Sequence, residues 1–168
     1  MMELIEVVDD QGNTIGEIEK HAAHLNGGTW HRAISVLLFN VEGEVVIQQR
    51  SESKYHFPSL WANSCCSHPA LGEMPLAAAR RTLLRELGIT AELGQVAVMR
   101  YEAADPVSGL TEREHDHIFT GVSQKTIVPN PDEVQAIRWV KIDDLRSEIG
   151  KQPERFAPWL PLVLDALE

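Results

Sequence analysis

Apolar and polar positions divide this chain into strands and helices before its composition is considered. Leu4 to Val8 and Thr14 to Glu19 are β-capable segments on either side of Asp9-Asp10-Gln11-Gly12-Asn13, which predicts an opening hairpin over about residues 4–19. Lys20 to Leu25 suits one helical turn, broken by Asn26-Gly27-Gly28. Trp30 to Asn40 is a long β-branched and apolar run; Val41-Glu42-Gly43 turns it, and Glu44 to Gln49 returns, closed by Arg50. A polar loop from Ser51 to Lys54 leads to Phe57-Pro58. The segment Asn63-Ser64-Cys65-Cys66-Ser67-His68-Pro69, with Pro58 before it and Pro69 at its end, reads as irregular chain facing a pocket rather than as a strand centre.

The strongest helical pattern starts near Pro75, whose fixed φ suits a first turn, and ends at Gly88, a natural left-handed cap. Leu76, Ala79, Leu83 and Leu87 share one face, with Glu86 expected at its solvent-distal rim. Gln95 to Ala103 and Arg113 to Val122 read as strands around the turn Asp105 to Gly109. Period-two alternation sets Glu112, Glu114 and Asp116 on one face and Arg113, His115 and His117 on the other. Three acids on one face of a strand is unusual. A short strand (Ala136 to Lys141), a helix from Asp143 to Ile149 with Asp143 as cap, and an apolar helix over about 158–167 that must dock on the rest complete the chain. Strands before and after one strong helix predict an α/β (α+β) mixed-sheet sandwich flanked by helices, a single domain spanning 1–168.

Composition narrows the function. A formal charge of −10 disfavours electrostatic binding to nucleic acid or to anionic membranes, so an anionic ligand needs a local basic cluster. No apolar run reaches the roughly 18 residues of a spanning helix, and the first residues lack the regions of a signal peptide, which predicts no membrane insertion and a cytoplasmic protein. The only two cysteines, Cys65 and Cys66, are adjacent; a disulfide between them would be strained, so reduced thiols are expected.

His24, His31, His68, Glu112 and Glu114 are candidate metal ligands, each of which also has a structural reading taken singly. Imidazoles with carboxylates suit Mn²⁺, Zn²⁺ or Mg²⁺, the carboxylate share favouring an octahedral ion. Cys66 is either a small buried hydrophobe or a proton-transfer or nucleophilic group. Lys20, Arg50 and Lys54 are solvated charges or an anion clamp. Trp159 is a packing residue of the last helix or an aromatic face for a cation.

The motifs Asn63-Ser64-Cys65-Cys66-Ser67-His68-Pro69 and Thr111-Glu112-Arg113-Glu114-His115-Asp116, with Glu19-Lys20-His21-Ala22-Ala23-His24, Trp30-His31-Arg32-Ala33, Gln48-Gln49-Arg50, Arg85-Glu86-Leu87-Gly88 and Pro158-Trp159, resemble the type I isopentenyl-diphosphate isomerases. That family has the Nudix fold. Aligned on Gly88, the Nudix box of the hydrolases meets Ser67, Glu73, Arg81, Thr82, Arg85 and Glu86 here, so only Glu86 of the last acids persists and hydrolysis is disfavoured.

The resemblance implies that His24, His31, His68, Glu112 and Glu114 hold one divalent ion, Mn²⁺ or else Zn²⁺ or Mg²⁺, and that Glu86 serves a Mg²⁺ that meets the substrate diphosphate. It makes Cys66 and Glu114 the acid and base on opposite faces of the substrate, with Tyr101 assisting protonation. Lys20, Arg50, Lys54 and Ser67 match substrate-contacting positions, and Trp159 matches the aromatic facing the cationic carbon. Thr82 stands where relatives can carry a basic residue, which thins the clamp. The implied reaction moves the double bond of isopentenyl diphosphate to give dimethylallyl diphosphate, in a monomer or homodimer. A Nudix diphosphate hydrolase and a non-catalytic metal-dependent binding module are the competing readings.

Overall fold

The computed structural model describes residues 2–168. Strands β1 (Leu4–Val8) and β2 (Thr14–Glu19) form the expected hairpin, with Leu4 opposite Glu19. Its turn is built by Asp9, whose carboxylate accepts the N–H groups of Gln11 at 2.9 Å and Asn13 at 2.8 Å. Gly12 takes φ 83° there, and a Cβ on it would lie 2.4 Å from His115 Nε2, so both the backbone angle and the close approach call for glycine.

β3 (His31–Phe39) is the spine of a nine-stranded mixed sheet. It runs parallel to β8 (Thr111–Val122), from His31 opposite Glu114 to Phe39 opposite Val122, while β7 (Gly94–Ala104) pairs antiparallel with β8. The predicted partner of β3, β4 (Val45–Arg50), meets it only at Phe39 and Val45, then leaves to pair with β9 (Val134–Val140) and β5 (Trp61–Ala62). Ser64 sits where the two strands diverge. Its hydroxyl accepts from Leu38 N at 2.8 Å and donates to Val46 O at 2.7 Å, satisfying both backbones where their ladder opens.

The divergence leaves an edge of β3 free for the cysteine segment. Cys65–Ser67 forms β6, antiparallel to Ile34–Val36, so a segment expected to be irregular is a short strand. Pairing with a buried neighbour satisfies its backbone, and the proline comes only after the ladder has ended at Ser67.

Helix α1 (Pro75–Leu87) covers one side of the sheet and ends at Gly88 with φ 68°. Its buried stripe is wider than the predicted one: Ala78, Ala79, Thr82, Leu83, Glu86 and Leu87 are buried, and Leu76 is only half-buried. Ile34, Val36, Leu38, Val46 and Phe119 pack beneath it. On the other side lie α2 (Ile142–Lys151) and α3 (Leu160–Asp165), over Leu37, Ile47, Phe57, Tyr101 and Trp159. Asp143 is not the cap of α2: Lys141 precedes the helix, and Asp143 lies inside the first turn, where a carboxylate complements the positive helix end. The last helix is shorter than the apolar run suggested, because Pro158 and Trp159 precede it and Leu167 lies beyond it in a turn.

Candidate active site

Five side chains converge: His24 from the 3-10 turn Ala22–His24, His31 from the start of β3, His68 from the residue after β6, and Glu112 and Glu114 from β8. Each of His24, His31, His68, Glu112 and Glu114 offers a ligand atom, and these atoms all lie within 4.8 Å of one another. All five are buried. The parallel register of β3 and β8 brings His31 beside Glu114, and the period of two puts Glu112 on the same side.

The histidine geometry supports a cation among them. His24 Nδ1 donates to Lys20 O and His31 Nδ1 to Thr29 O, both at 2.7 Å, because a carbonyl can only accept. Each ring therefore turns Nε2 towards the carboxylates. His24 Nε2 lies 3.0 Å from Glu112 Oε2, and two lone pairs at that distance need a shared proton or a metal between them. His31 Nε2 is buried without a hydrogen-bond partner, 3.8 Å from both Glu112 Oε2 and Glu114 Oε1. Backbone carbonyls fixing the outer nitrogen while the inner one stays free is the arrangement of metal-binding histidines. The residues thus fit a divalent ion.

The two carboxylates dominate the field of the cluster. Burial opposes a charge on Glu112, but hydrogen bonds from His24 and His56 hold its carboxyl well below the usual range. Burial drives His68 down to about 3, so its imidazole is neutral. Burial also works against a charged His24, yet Glu112 and Glu114 raise it on balance.

Beside this cluster a cavity of about 60 Å³ is lined by Lys20, Arg50, Lys54, Cys66, Ser67, Glu86, Tyr101, Glu114 and Trp159, among others. Every predicted site residue outside the metal cluster thus faces the same space. Burial pushes the Cys66 thiol far up, with Arg50 opposing, so it is a protonated thiol rather than a thiolate. Tyr101 donates to Glu114 Oε2 at 2.6 Å, and burial together with Glu114 keeps the phenol protonated. Trp159 is fixed by donating from Nε1 to Asn63 Oδ1 at 3.1 Å and by an edge contact with Phe57.

Two residues differ from their expected settings. Glu86 is 3% exposed rather than at a rim: it accepts from Gln48 Nε2 at 2.8 Å, and burial raises its pKa against the pull of Lys54. The wider buried stripe of α1 takes it inward. Arg50 spends two donors internally, on Phe57 O at 3.0 Å and His56 O at 3.1 Å, with its guanidinium 5.4 Å from the Trp159 ring.

His56 and Arg85 also line the cavity and were missed in the sequence. His56 contacts Glu112 through Nε2, and Tyr55 stacks on it with ring centroids 4.5 Å apart and an interplanar angle of 11°. Their signal was position alone: His56 follows Lys54 by two residues, and Arg85 precedes Glu86.

A model of the family described as NUDIX domain matches residues 29–162. Isopentenyl-diphosphate Delta-isomerase of Nocardia farcinica is 45% identical over 161 residues, covering 96% of this chain and 92% of the relative. The protein of the same name from Serratia proteamaculans is 41% identical over 167 residues, covering 99% and 92%. In fold, the chain is similar to DR0079 from Deinococcus radiodurans at a TM-score of 0.81 and 20% identity, covering 99% of this chain and all of that one. MutT from Methanosarcina mazei Go1 follows at a TM-score of 0.66 and 17% identity, covering 81% of this chain and 91% of that one. With a Nudix domain over most of its length and relatives above 40% identity along nearly all of it, the chain belongs to the isopentenyl-diphosphate Delta-isomerase family.

Proposed function

We propose that this protein converts isopentenyl diphosphate to dimethylallyl diphosphate by protonating and deprotonating the substrate on opposite faces. The observation that carries the reading is the meeting of a protonated thiol, Cys66, and an acceptor carboxylate, Glu114, on one cavity. An unactivated alkene needs an acid at its terminal carbon and a base at the allylic carbon. Cys66 Sγ gives its proton to the terminal carbon, a tertiary carbocation forms, and Glu114 takes the allylic proton, so the double bond moves with no net change in atoms. The hydrogen bond from Tyr101 holds Glu114 Oε2 in place. Trp159 presents its ring to the cation, and the buried aromatic wall keeps water away.

His24, His31, His68, Glu112 and Glu114 are the residues to hold a divalent ion, assigned here as Mn²⁺, with Zn²⁺ or Mg²⁺ as substitutes; when bound, it supplies fixed positive charge that anchors Glu112 and Glu114. Glu86 is the carboxylate that would hold a Mg²⁺, which would supply positive charge to offset the negative charge of the diphosphate. Lys20, Arg50, Lys54 and Ser67 are the substrate contacts, with Arg50 limited by its internal bonds. The free thiols Cys65 and Cys66 support a reducing, cytoplasmic setting, and among the described residues no helix is long and apolar enough to cross a membrane.

Incubation with isopentenyl diphosphate and Mg²⁺ in deuterated water tests the reading: the allylic product is expected to carry deuterium. Absence of exchange in the wild type, or equal exchange in Cys66→Ala, sinks it. Phosphate release instead of isomerisation would favour a hydrolase, which Thr82 and Arg85 in the Nudix helix disfavour.

A further inference from the structure

Four cationic side chains line the cavity: Lys20, Arg50, Lys54 and Arg85. They are not equally committed. Lys20 Nζ donates to Glu3 at 3.2 Å, Arg50 donates to two backbone carbonyls, and Lys54 Nζ donates to Glu133. Arg85 stands apart, with no protein hydrogen bond among the described residues. Its nearest carboxylate oxygens are 3.5 Å away on Glu86 and 3.7 Å away on Glu133, ion-pair distances that leave its N–H groups unspent. At 36% side-chain exposure it remains open to a ligand. One turn earlier on α1, Thr82 is a buried hydroxyl without a partner, so that turn adds no cation.

Glu133 is the common neighbour. Its carboxylate meets Lys54 through one oxygen and Arg85 through the other. The backbone fixes it there: Glu133 N donates to Asn130 O at 3.0 Å, Asn130 N to Glu86 O at 2.9 Å, and Ser51 N to Glu133 O at 3.1 Å. The segment is therefore tied to the last turns of α1 and to the loop that carries Lys54. Burial opposes a charged Glu133, but Lys54, Arg85 and Lys20 hold its carboxyl below the ordinary value. One carboxylate thus occupies a three-cation field.

We propose that Arg85 is a further diphosphate contact that joins Lys54, already read as one, in a phosphate fork, and that Glu133 is a resident carboxylate which a diphosphate displaces from both. The inference rests on the reading of the substrate as a diphosphate ester. A guanidinium fork and an ammonium match phosphate oxygens better than a single carboxylate does, and a diphosphate brings more negative charge into the same field. Glu133 is 23% exposed, so its carboxylate can turn to water when released. The cavity of about 60 Å³ is well below the volume of a small-molecule site, so a bound ester has to move groups at its border, and this bridge is one it would break by exchange.

The test is calorimetric binding of inorganic pyrophosphate in Mg²⁺ buffer to the wild type, Arg85→Ala, Arg85→Lys and Glu133→Gln, with steady-state kinetics on isopentenyl diphosphate. Arg85→Ala is expected to weaken pyrophosphate about tenfold or more and to raise KM similarly, leaving kcat within about twofold. Arg85→Lys recovers only part of this, and Glu133→Gln tightens pyrophosphate about threefold. A merely structural role would give no tightening on loss of a carboxylate. Affinity of Arg85→Ala within about twofold of the wild type, weaker binding by Glu133→Gln, or a wild type that does not bind pyrophosphate overturns the fork. A wild type that shows the predicted binding pattern without isomerising isopentenyl diphosphate would instead overturn the isomerase reading and leave the fork standing.

Discussion

The two sides of the central sheet are built for different purposes, and the boundary runs between two neighbouring cysteines. Towards α1, Ile34, Val36, Leu38, Ala79, Leu83 and Cys65 are fully buried in an apolar cluster. On the opposite side Phe57, Tyr101 and Trp159 join the core, and Cys66 opens onto the cavity beside buried carboxylates and imidazoles. An aliphatic layer offers a charge no partner, so Glu86 of α1 is buried only where Gln48 donates to it, whereas an aromatic wall with polar tips can border a charge and still exclude water. The stable face holds the strands in register, and the other face uses that register to aim its chemistry.

The largest expected effect separates the two thiols. Cys66→Ala should lower turnover about a thousandfold with little change in melting temperature, the scale of losing a general acid. Cys65→Ala should do the reverse, retaining turnover and costing about 1 kcal/mol of stability in denaturant titrations. Equal losses of activity in both variants would erase the division. The two thiols share one chemical property. Burial raises the pKa of both thiols, so alkylation of the folded protein should keep accelerating as the pH climbs past 9, where an ordinary thiol would level off. A plateau near pH 8 to 9, read by mass spectrometry, would mean that one thiol lies outside its assigned layer.

The smallest effect sharpens how the cavity side is supported. Asp105 accepts from Phe57 N at 3.0 Å, Val107 N at 3.0 Å and Ser108 Oγ at 2.7 Å, fixing the loop that carries His56 and Phe57. Asp105→Ala should destabilise by about 1–3 kcal/mol and raise KM modestly. Burial works against its charge, but these bonds hold its carboxyl low, so its contribution is complete above about pH 4 and is lost as the pH falls further. A melting temperature unchanged between pH 5 and pH 3 in the wild type, with a stable Asp105→Ala, would remove it as a support.

Much of this molecule is legible in its residues. The opening hairpin follows from turn chemistry, α1 from Pro75 and Gly88, and the acid row of β8 from a period of two. His24, His31, His68, Glu112, Glu114, Cys66, Tyr101 and Trp159 are linked as one set in the sequence only by the family resemblance, because no local period or spacing connects them all. Glu86 was misjudged because helical periodicity gives an azimuth and not the depth of the neighbouring layer. His56 and Arg85 were missed for a related reason: a lone histidine in a loop or an arginine on a helix looks like a surface charge until its neighbours are known.

What the sequence determined by itself is therefore local or recurrent: turn residues, strand and helix periods, and motifs that name their chemistry. What only the tertiary structure decided depends on partners distant along the chain. Ser64 separates β3 from β4 and so lets Cys65 to Ser67 become a strand. The parallel register sets His31 against Glu114, and Glu133 finds Lys54 and Arg85 across a gap of up to 79 residues. Such pairings are fixed by packing and hydrogen-bond satisfaction across the whole domain, and no window of sequence contains both partners.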